Sequence, residues 1–454
     1  MKKLETDMTS GPLLGKLIRF SLPLVLTGIL QLLYNAVDMV VVGRYDGSQA
    51  LAAVGATGPV VNLVTNLFIG MSLGASVLVA QYIGAHSDTD VFRTVHTAML
   101  LSVISGVIVC GVGVAITRPM LVWMETPDDV LDQAAQYMRI YFVSMIAAMV
   151  FNFGASILRA VGDAKRPLYF LVIAGMINVV FNVWFVKYLG MGVAGVAWAT
   201  MISQTVAAVL VTLSLVHADG CWKLNLRMLH IDRDKLWRML RIGLPAGLQN
   251  SMFSISNVLI QSAINTFGSA AIAGTTAAAN LESFISSTGG SIAQATLTFA
   301  GQNIGAGKPR RVARVTHVSS LLGIAVTLVM GGLMLRFGPQ LLGIYSDDPA
   351  VIAIGMIRVR VVAFTFPALV LMNVYAGSLR GMGHSASPMI VTLMGVCVFR
   401  VVWIYTVFEL YPTLRCLFIS YPVTWALTAA FLAVIYYIVQ ARTVRRYESE
   451  AARA

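Results

Sequence analysis

Apolar stretches of twenty or more residues follow one another along this chain almost without pause, parted by short polar breaks rich in Gly and Pro. About twenty helical residues, rising about 1.5 Å each, cross the roughly 30 Å of hydrocarbon in a bilayer, so the pattern predicts membrane-spanning helices. About twelve are counted, near residues 17–42, 52–83, 94–118, 134–158, 167–187, 191–216, 242–266, 272–304, 314–336, 355–379, 388–409 and 415–440. The second and eighth exceed a straight crossing and predict tilt or extension beyond the membrane surface. Composition agrees, because 57% hydrophobic and 11% charged residues with a mean hydropathy of +0.79 lie outside the range of soluble proteins.

The pattern is also written twice. A shift of about 221 residues carries Ala50 to Ala85 onto Ala271 to Ala306, and Leu158-Arg159-Ala160-Val161-Gly162, closed by Pro167, onto Leu379-Arg380-Gly381-Met382-Gly383, closed by Pro388. His96 falls on His317. Six spans per copy make the copies parallel, related by an axis along the membrane normal. The expected fold is an all-α membrane protein with twelve transmembrane helices in two six-helix bundles related by pseudo-twofold symmetry. The expected division is an N-lobe over 1–220, an interfacial linker over 221–241, a C-lobe over 242–441 and a tail over 442–454.

Charge then fixes an orientation, since cytoplasmic loops retain Lys and Arg. Lys2, Lys3, Lys16 and Arg19 precede the first span, and Arg442, Arg445, Arg446 and Arg453 follow the last. Arg159, Lys165 and Arg166, then Lys308, Arg310, Arg311 and Arg314, occupy alternate loops, while the opposite loops carry Glu125, Asp128, Asp129, Asp347 and Asp348. Both termini are therefore expected in the cytoplasm, in the inner (cytoplasmic) membrane of the cell. The net charge of +12 is explained by this retention and calls for no nucleic acid. The polar stretch Met1 to Ser10 gives no sign of a cleaved secretion signal, and Cys110, Cys221, Cys397 and Cys416, without ligand spacing, are expected to be inert thiols.

Between the copies, Cys221 to His230 and Leu236 to Leu240 mix aromatics, aliphatics and bases, as an interfacial tether or a regulatory, lipid-sensing linker would. Leu13 to Phe20 is a shorter stretch of the same kind, and both lead into Leu-Pro, at Pro23 and Pro245. With Pro59, Pro367 and Pro422, these prolines predict kinks.

Asn35 to Arg44, Leu51 to Gly55, Gln81-Tyr82-Ile83-Gly84-Ala85, Phe299 to Gly307 and Gly377 to Gly383 resemble, in order and over nearly the whole chain, the MATE (multidrug and toxic compound extrusion) transporters. The resemblance implies a transporter rather than an enzyme, with two six-helix lobes, a central cavity, and export of organic, often cationic and hydrophobic, compounds against inward flow of H+ or Na+. No other cofactor is expected. The partners are then small organic molecules and the bilayer, and the state monomeric.

Asp38 lies midway along the first span, where a carboxylate costs about 2.5 to 3.5 kcal/mol on insertion scales and must face a polar interior. It is expected to hold a cation or proton, with a buried structural hydrogen bond as the alternative. Asn178 and Asn182, four apart, share one face of the fifth span, and Thr200 on the sixth adds a hydroxyl. By resemblance these match the polar cluster that N-lobe-coupled (DinF-like) members use with the first-helix Asp. If sodium is the coupling ion, Asp38, Asn178 and Asn182 supply the hard oxygen ligands it requires. Some members have a second Asp where this chain has Asn182, a departure that favours H+ or weak Na+ binding. Tyr34 and Asn35, one turn before Asp38, are weaker candidates.

The duplication provides a control. Shifted by about 221, Asp38 falls on Leu259, Asn178 on Phe399, Asn182 on Trp403 and Thr200 on Tyr421, so the second copy lacks the polar set. It carries instead Glu282 on the eighth span and Arg400 on the eleventh, expected to pair because either alone is costly. Their role is structural, or in substrate binding and gating, where a cationic substrate would compete with Arg400 for Glu282. The 23 methionines suit an adaptable cavity as well as ordinary filling. His96 and His317 are expected to hinge or cap, and Arg159 and Arg380 to anchor at the membrane surface. A flippase for lipid-linked precursors is the alternative function and needs a cavity rich in bases, of which Arg400 alone is placed deep. A channel would need a selectivity loop between spans, and an ATP-driven pump a GxxxxGK[ST] loop, which does not occur.

Overall fold

The computed structural model describes residues 7–124 and 126–453, and among these every regular element is helical. Lys2, Lys3 and Glu125 lie outside the described residues, as do the side chains of Pro59, Asp128 and Asp129. The first copy comprises α1 (Leu13–Tyr45), α2 (Ser48–Gly84), α3 (Asp88–Trp123), α4 (Asp128–Ala160), α5 (Lys165–Val183) and α6 (Gly192–Val216). The second runs α7 (Arg233–Asn265), α8 (Ser269–Gly305), α9 (Pro309–Arg336), a short α10 (Gly338–Gly343), α11 (Pro349–Val362), α12 (Phe366–Gly381), α13 (Ala386–Thr392), α14 (Phe399–Trp403) and α15 (Leu414–Ala451).

α11 and α12 form one span interrupted by a 3-10 turn, Ala363–Thr365, placed just before Pro367, whose ring has no N–H to continue the ladder. α13 and α14 form another, interrupted by π turns at Leu393–Val398 and Ile404–Phe408. A third π turn, Trp184–Tyr188, closes α5. Among the described residues ten helical runs are long and apolar enough to cross a membrane. α7 and α8, at 33 and 37 residues, have the length, but polar residues such as Gln249, Asn257 and Gln261 in α7 and Asn280, Glu282 and Ser283 in α8 dilute their apolar character. Unusual length is not confined to the second and eighth spans: α3 has 36 residues and α15 has 38.

Helix starts follow local chemistry. Gly47 and Gly268, with φ of 94° and 88°, turn the chain into α2 and α8 in a backbone region that only Gly adopts freely. Asp163 Oδ1 accepts from the backbone N–H groups of Lys165 and Arg166, and Asp348 from that of Ala350, which caps α5 and α11.

The helices form two compact units. One takes in Ile29–Gly247 and the other Met8–Gly28 with Leu248–Ala454, so each of the proline-bearing helices α1 and α7 is divided a few residues after its Pro. In lipid, association rests on close packing rather than on transfer from water. In the first unit α4 presents Met138, Phe142, Met145 and Met149 on one buried face, and Gly113 leaves room for the Phe142 ring. Gly70 and Gly74 of α2 meet Gly243 and Gly247 of α7 backbone to backbone, two small-xxx-small pairs that a Cβ on any of them would obstruct. In the second unit Gly377 and Gly381 bring α12 against the backbone of α8, with Phe366, Phe418 and Tyr436 fully enclosed.

The linker is pinned to α3. Buried His96 accepts through Nε2 from the Asn225 N–H at 3.0 Å, and Thr97 Oγ1 accepts from Asp232 N–H at 3.0 Å. Lys235 reaches Asp90 at 2.8 Å and the Tyr82 hydroxyl at 2.9 Å. Burial alone would lower its pKa, but those partners outweigh burial and hold it above the ordinary lysine value. Burial pushes the Cys221 thiol up to about 12, which keeps it protonated and unreactive at neutral pH. Arg159 and Arg380, expected to anchor at the membrane surface, each fold onto a side chain of their own unit, Ser156 Oγ at 2.9 Å and Gln249 Oε1 at 2.6 Å.

Candidate functional site

In the first unit, α1, α5 and α6 converge on a closed ring of four side chains. Asn182 Nδ2 donates to Asp38 Oδ1 at 2.5 Å and to Asn178 Oδ1 at 3.0 Å. Asn178 Nδ2 donates to Thr200 Oγ1 at 3.4 Å, and Thr200 Oγ1 donates to Asp38 Oδ2 at 3.4 Å. The four-residue spacing of Asn178 and Asn182 on a regular helix makes this possible, since it stacks the two amides one turn apart. Both asparagines are fully buried, whereas Asp38 and Thr200 keep partial exposure. The buried Asn182 Oδ1 accepts no hydrogen bond among the described residues.

A carboxylate and a spare amide oxygen, held on rigid helices with one side open, form an acceptor-rich site for a proton or a small cation. Tyr34 borders the ring without joining it: its hydroxyl donates to the Leu171 carbonyl at 3.0 Å and its ring fills the space left by Gly175. Asn35 is exposed and takes no part in the ring's hydrogen bonds. Tyr137 and Tyr141 of α4, stacked at 5.9 Å, lie within the electrostatic reach of Asp38. Aromatic residues on a buried α4 face gave no sequence signal of that proximity.

The second unit holds a cavity of about 430 Å³ between α7, α8, α11, α12, α14 and α15. Glu282 and Arg400 both line it, but they are not a pair. Glu282 takes both its oxygens to Arg358, Nε to Oε1 and Nη2 to Oε2, each at 2.8 Å, with both side chains 8% exposed. This bidentate geometry is the strongest form of such a bond. A run taken to begin at residue 355 set Arg358 at a span's edge, whereas α11 begins at Pro349 and carries it well inside the helix. Arg400 lies instead over the Tyr421 ring, 4.1 Å from its centroid, and donates to Asn257 Oδ1 at 3.4 Å. Its Nε has no partner among the described residues, although the residue is only 2% exposed.

The π turn at Leu393–Val398 explains why Arg400 sits there. α5 and α13 begin at Lys165 and Ala386, in step with the repeat, and α5 stays regular through Asn178. A π turn takes up an extra residue, so in helical position Arg400, rather than Phe399, comes to match Asn178.

Comparison with known proteins places this geometry in context. The family profile MatE matches the chain over residues 23–184 and again over 245–406. The "Probable multidrug resistance protein YpnP" of Bacillus subtilis is 26% identical over 398 residues, covering 87% of this chain and 88% of that protein. The "Probable multidrug resistance protein NorM" of Thermotoga maritima is 24% identical, with 84% and 82% covered. Among solved structures, a MOP superfamily transporter from Pyrococcus furiosus is similar with a TM-score of 0.90 at 23% identity, over 98% of this chain and 99% of that one. At that identity the likeness bears on the fold, which is the twelve-helix, two-bundle fold.

Proposed function

The chain belongs to the MatE family of multi-pass membrane transporters, and from that premise we propose that it is a secondary active exporter of organic compounds, coupled to inward cation flow at Asp38. The relatives named as multidrug resistance proteins support organic drugs as cargo. The hydrogen-bonded ring around a lone α1 carboxylate carries the coupling assignment. In this reading the transporter is N-lobe-coupled, monomeric and seated in the cytoplasmic membrane with both termini inside.

A proton or Na+ arriving from outside neutralises Asp38 and breaks its hydrogen bonds unequally in the two access states. An ion shifts a conformational equilibrium only by such a difference in affinity. With one carboxylate and no second acid in the ring, H+ is favoured over tightly held Na+. Asn178, Asn182 and Thr200 orient the acid, and the spare Asn182 oxygen receives the ion. The flippase reading gains Arg358 as a second deep base, but Glu282 neutralises it, and among the described residues lining the cavity Arg400 is then the one cation without a carboxylate, too few for a diphosphate linkage.

Efflux of a fluorescent dye from proteoliposomes, under separately imposed pH and Na+ gradients, tests this. Export should follow one gradient in the parent and stop in Asp38→Asn. Unchanged gradient-driven export by that variant removes Asp38 from the mechanism.

A further inference from the structure

We infer that the cavity of the second unit binds the anionic oxygen group, a carboxylate or phosphate monoester, of an organic ligand through Arg400; the inference rests on the exporter reading for the ligand's role as cargo. Of the three charged groups lining the cavity, Glu282 and Arg358 satisfy each other through two parallel hydrogen bonds. Arg400 is left with no carboxylate, one long hydrogen bond to a neutral amide, and a buried Nε that donates to nothing among the described residues. A buried guanidinium is costly unless paired. Tyr421 offsets only part of this, because the one ring faces both guanidiniums, Arg400 at 4.1 Å and Arg358 at 5.1 Å from its centroid.

The planar guanidinium fork matches carboxylate and phosphate oxygens. Asn257, Gln261, Ser283, Ser286 and Asn373 add neutral polar groups around it, and Trp425 an aromatic wall. About 430 Å³ suits the body of a drug-sized molecule. A cationic ligand fares worse here. To reach Glu282 it must displace Arg358, leaving two uncompensated guanidiniums in place of one.

Three probes sharing a dansyl body test the inference: dansylglycine with a carboxylate, dansyl-aminoethyl phosphate, and dansylcadaverine with an ammonium group. Binding to the purified full chain is read by quenching of tryptophan emission, to which Trp425 contributes, and by dansyl enhancement. One or both acids should bind at least about tenfold more tightly than the amine, and preference between the acids identifies the source as carboxylate or phosphate. Arg400→Gln should remove that preference without lowering the melting temperature, because it deletes an unpaired buried charge. Arg400→Lys should retain part of it.

Two results overturn the inference: equal binding of all three probes by the parent, or acid binding that survives Arg400→Gln. If neither variant folds, loss of acid binding in Asn257→Leu supports the site and full retention of it refutes the site. Parallel efflux measurements on the same probes separate the two readings. Arg400-dependent binding without gradient-driven export by the parent strikes the exporter reading and leaves the site standing. Gradient-driven export of the amine alone does the reverse.

Discussion

Matched positions in the two copies have been given opposite chemistry. In the first unit Asn178 of α5 and Thr200 of α6 close a ring with Asp38, and every group in it is neutral or negative. In the second, Arg400 occupies the helical position of Asn178, and Tyr421, the counterpart of Thr200, lies beneath it. Val61 and Tyr137 stand where the second copy has Glu282 and Arg358. One scaffold thus carries an acceptor site in one copy and a donor site in the other, which suits a machine handling a cation and a cargo at separate places. Fold-level symmetry does not transmit site chemistry.

The comparison breaks most visibly at Asp38. Asp38→Asn should reduce gradient-driven export to background, and equilibrium dye binding, which in the parent should change with the coupling-ion concentration, should lose that dependence in the variant, since coupling between two ligands is reciprocal. Next in size is Glu282→Gln, which strands Arg358 in the interior. It should cost about 3 to 5 kcal/mol, read by thermal or chemical denaturation in detergent, and the double variant Glu282→Gln, Arg358→Met should recover most of it. Asn182→Leu removes the spare oxygen and the donor to Asp38. It should weaken the apparent affinity for the coupling ion by about tenfold, read from the ion concentration giving half-maximal export, with the maximal rate less affected.

The smallest effect lies at the linker. Lys235→Met should cost about 1 kcal/mol, as for a partly exposed pair. The raised pKa of Lys235 fixes the pH dependence. Its contribution is complete below the unfolded lysine value of about 10.4 and is lost only as pH rises beyond that through the higher folded value. The parent and the variant should therefore differ by a constant amount across neutral pH, and a difference that changes between pH 6 and 8 would contradict the assignment.

Hydropathy and duplication made the helices legible and spacing put Asn178 and Asn182 on one face of a regular helix, whereas their grouping with Asp38 and Thr200 came from the resemblance to the MATE transporters. The pairing in the second unit was not legible. Glu282 and Arg400 are each visible as charges in apolar runs, but pairing depends on register, and a π turn shifts register without leaving a mark in composition. Arg358 was obscured by a span boundary, since apolar periodicity locates helix ends only to within a few residues. His96 was legible only as a hinge or cap at a helix end, and Thr97 not at all. Their hold on the linker joins positions more than 120 residues apart in sequence.

The π turn at Leu393–Val398 amounts to one surplus residue wound into the eleventh span. Were that segment to rewind as ordinary helix with its length unchanged, everything beyond it would swing by about 100° around the axis. Phe399 would then come to face the cavity and the guanidinium would rotate away, with no functional side chain altered. In this half of the molecule, the winding of one helix specifies the site as firmly as the identity of its residues.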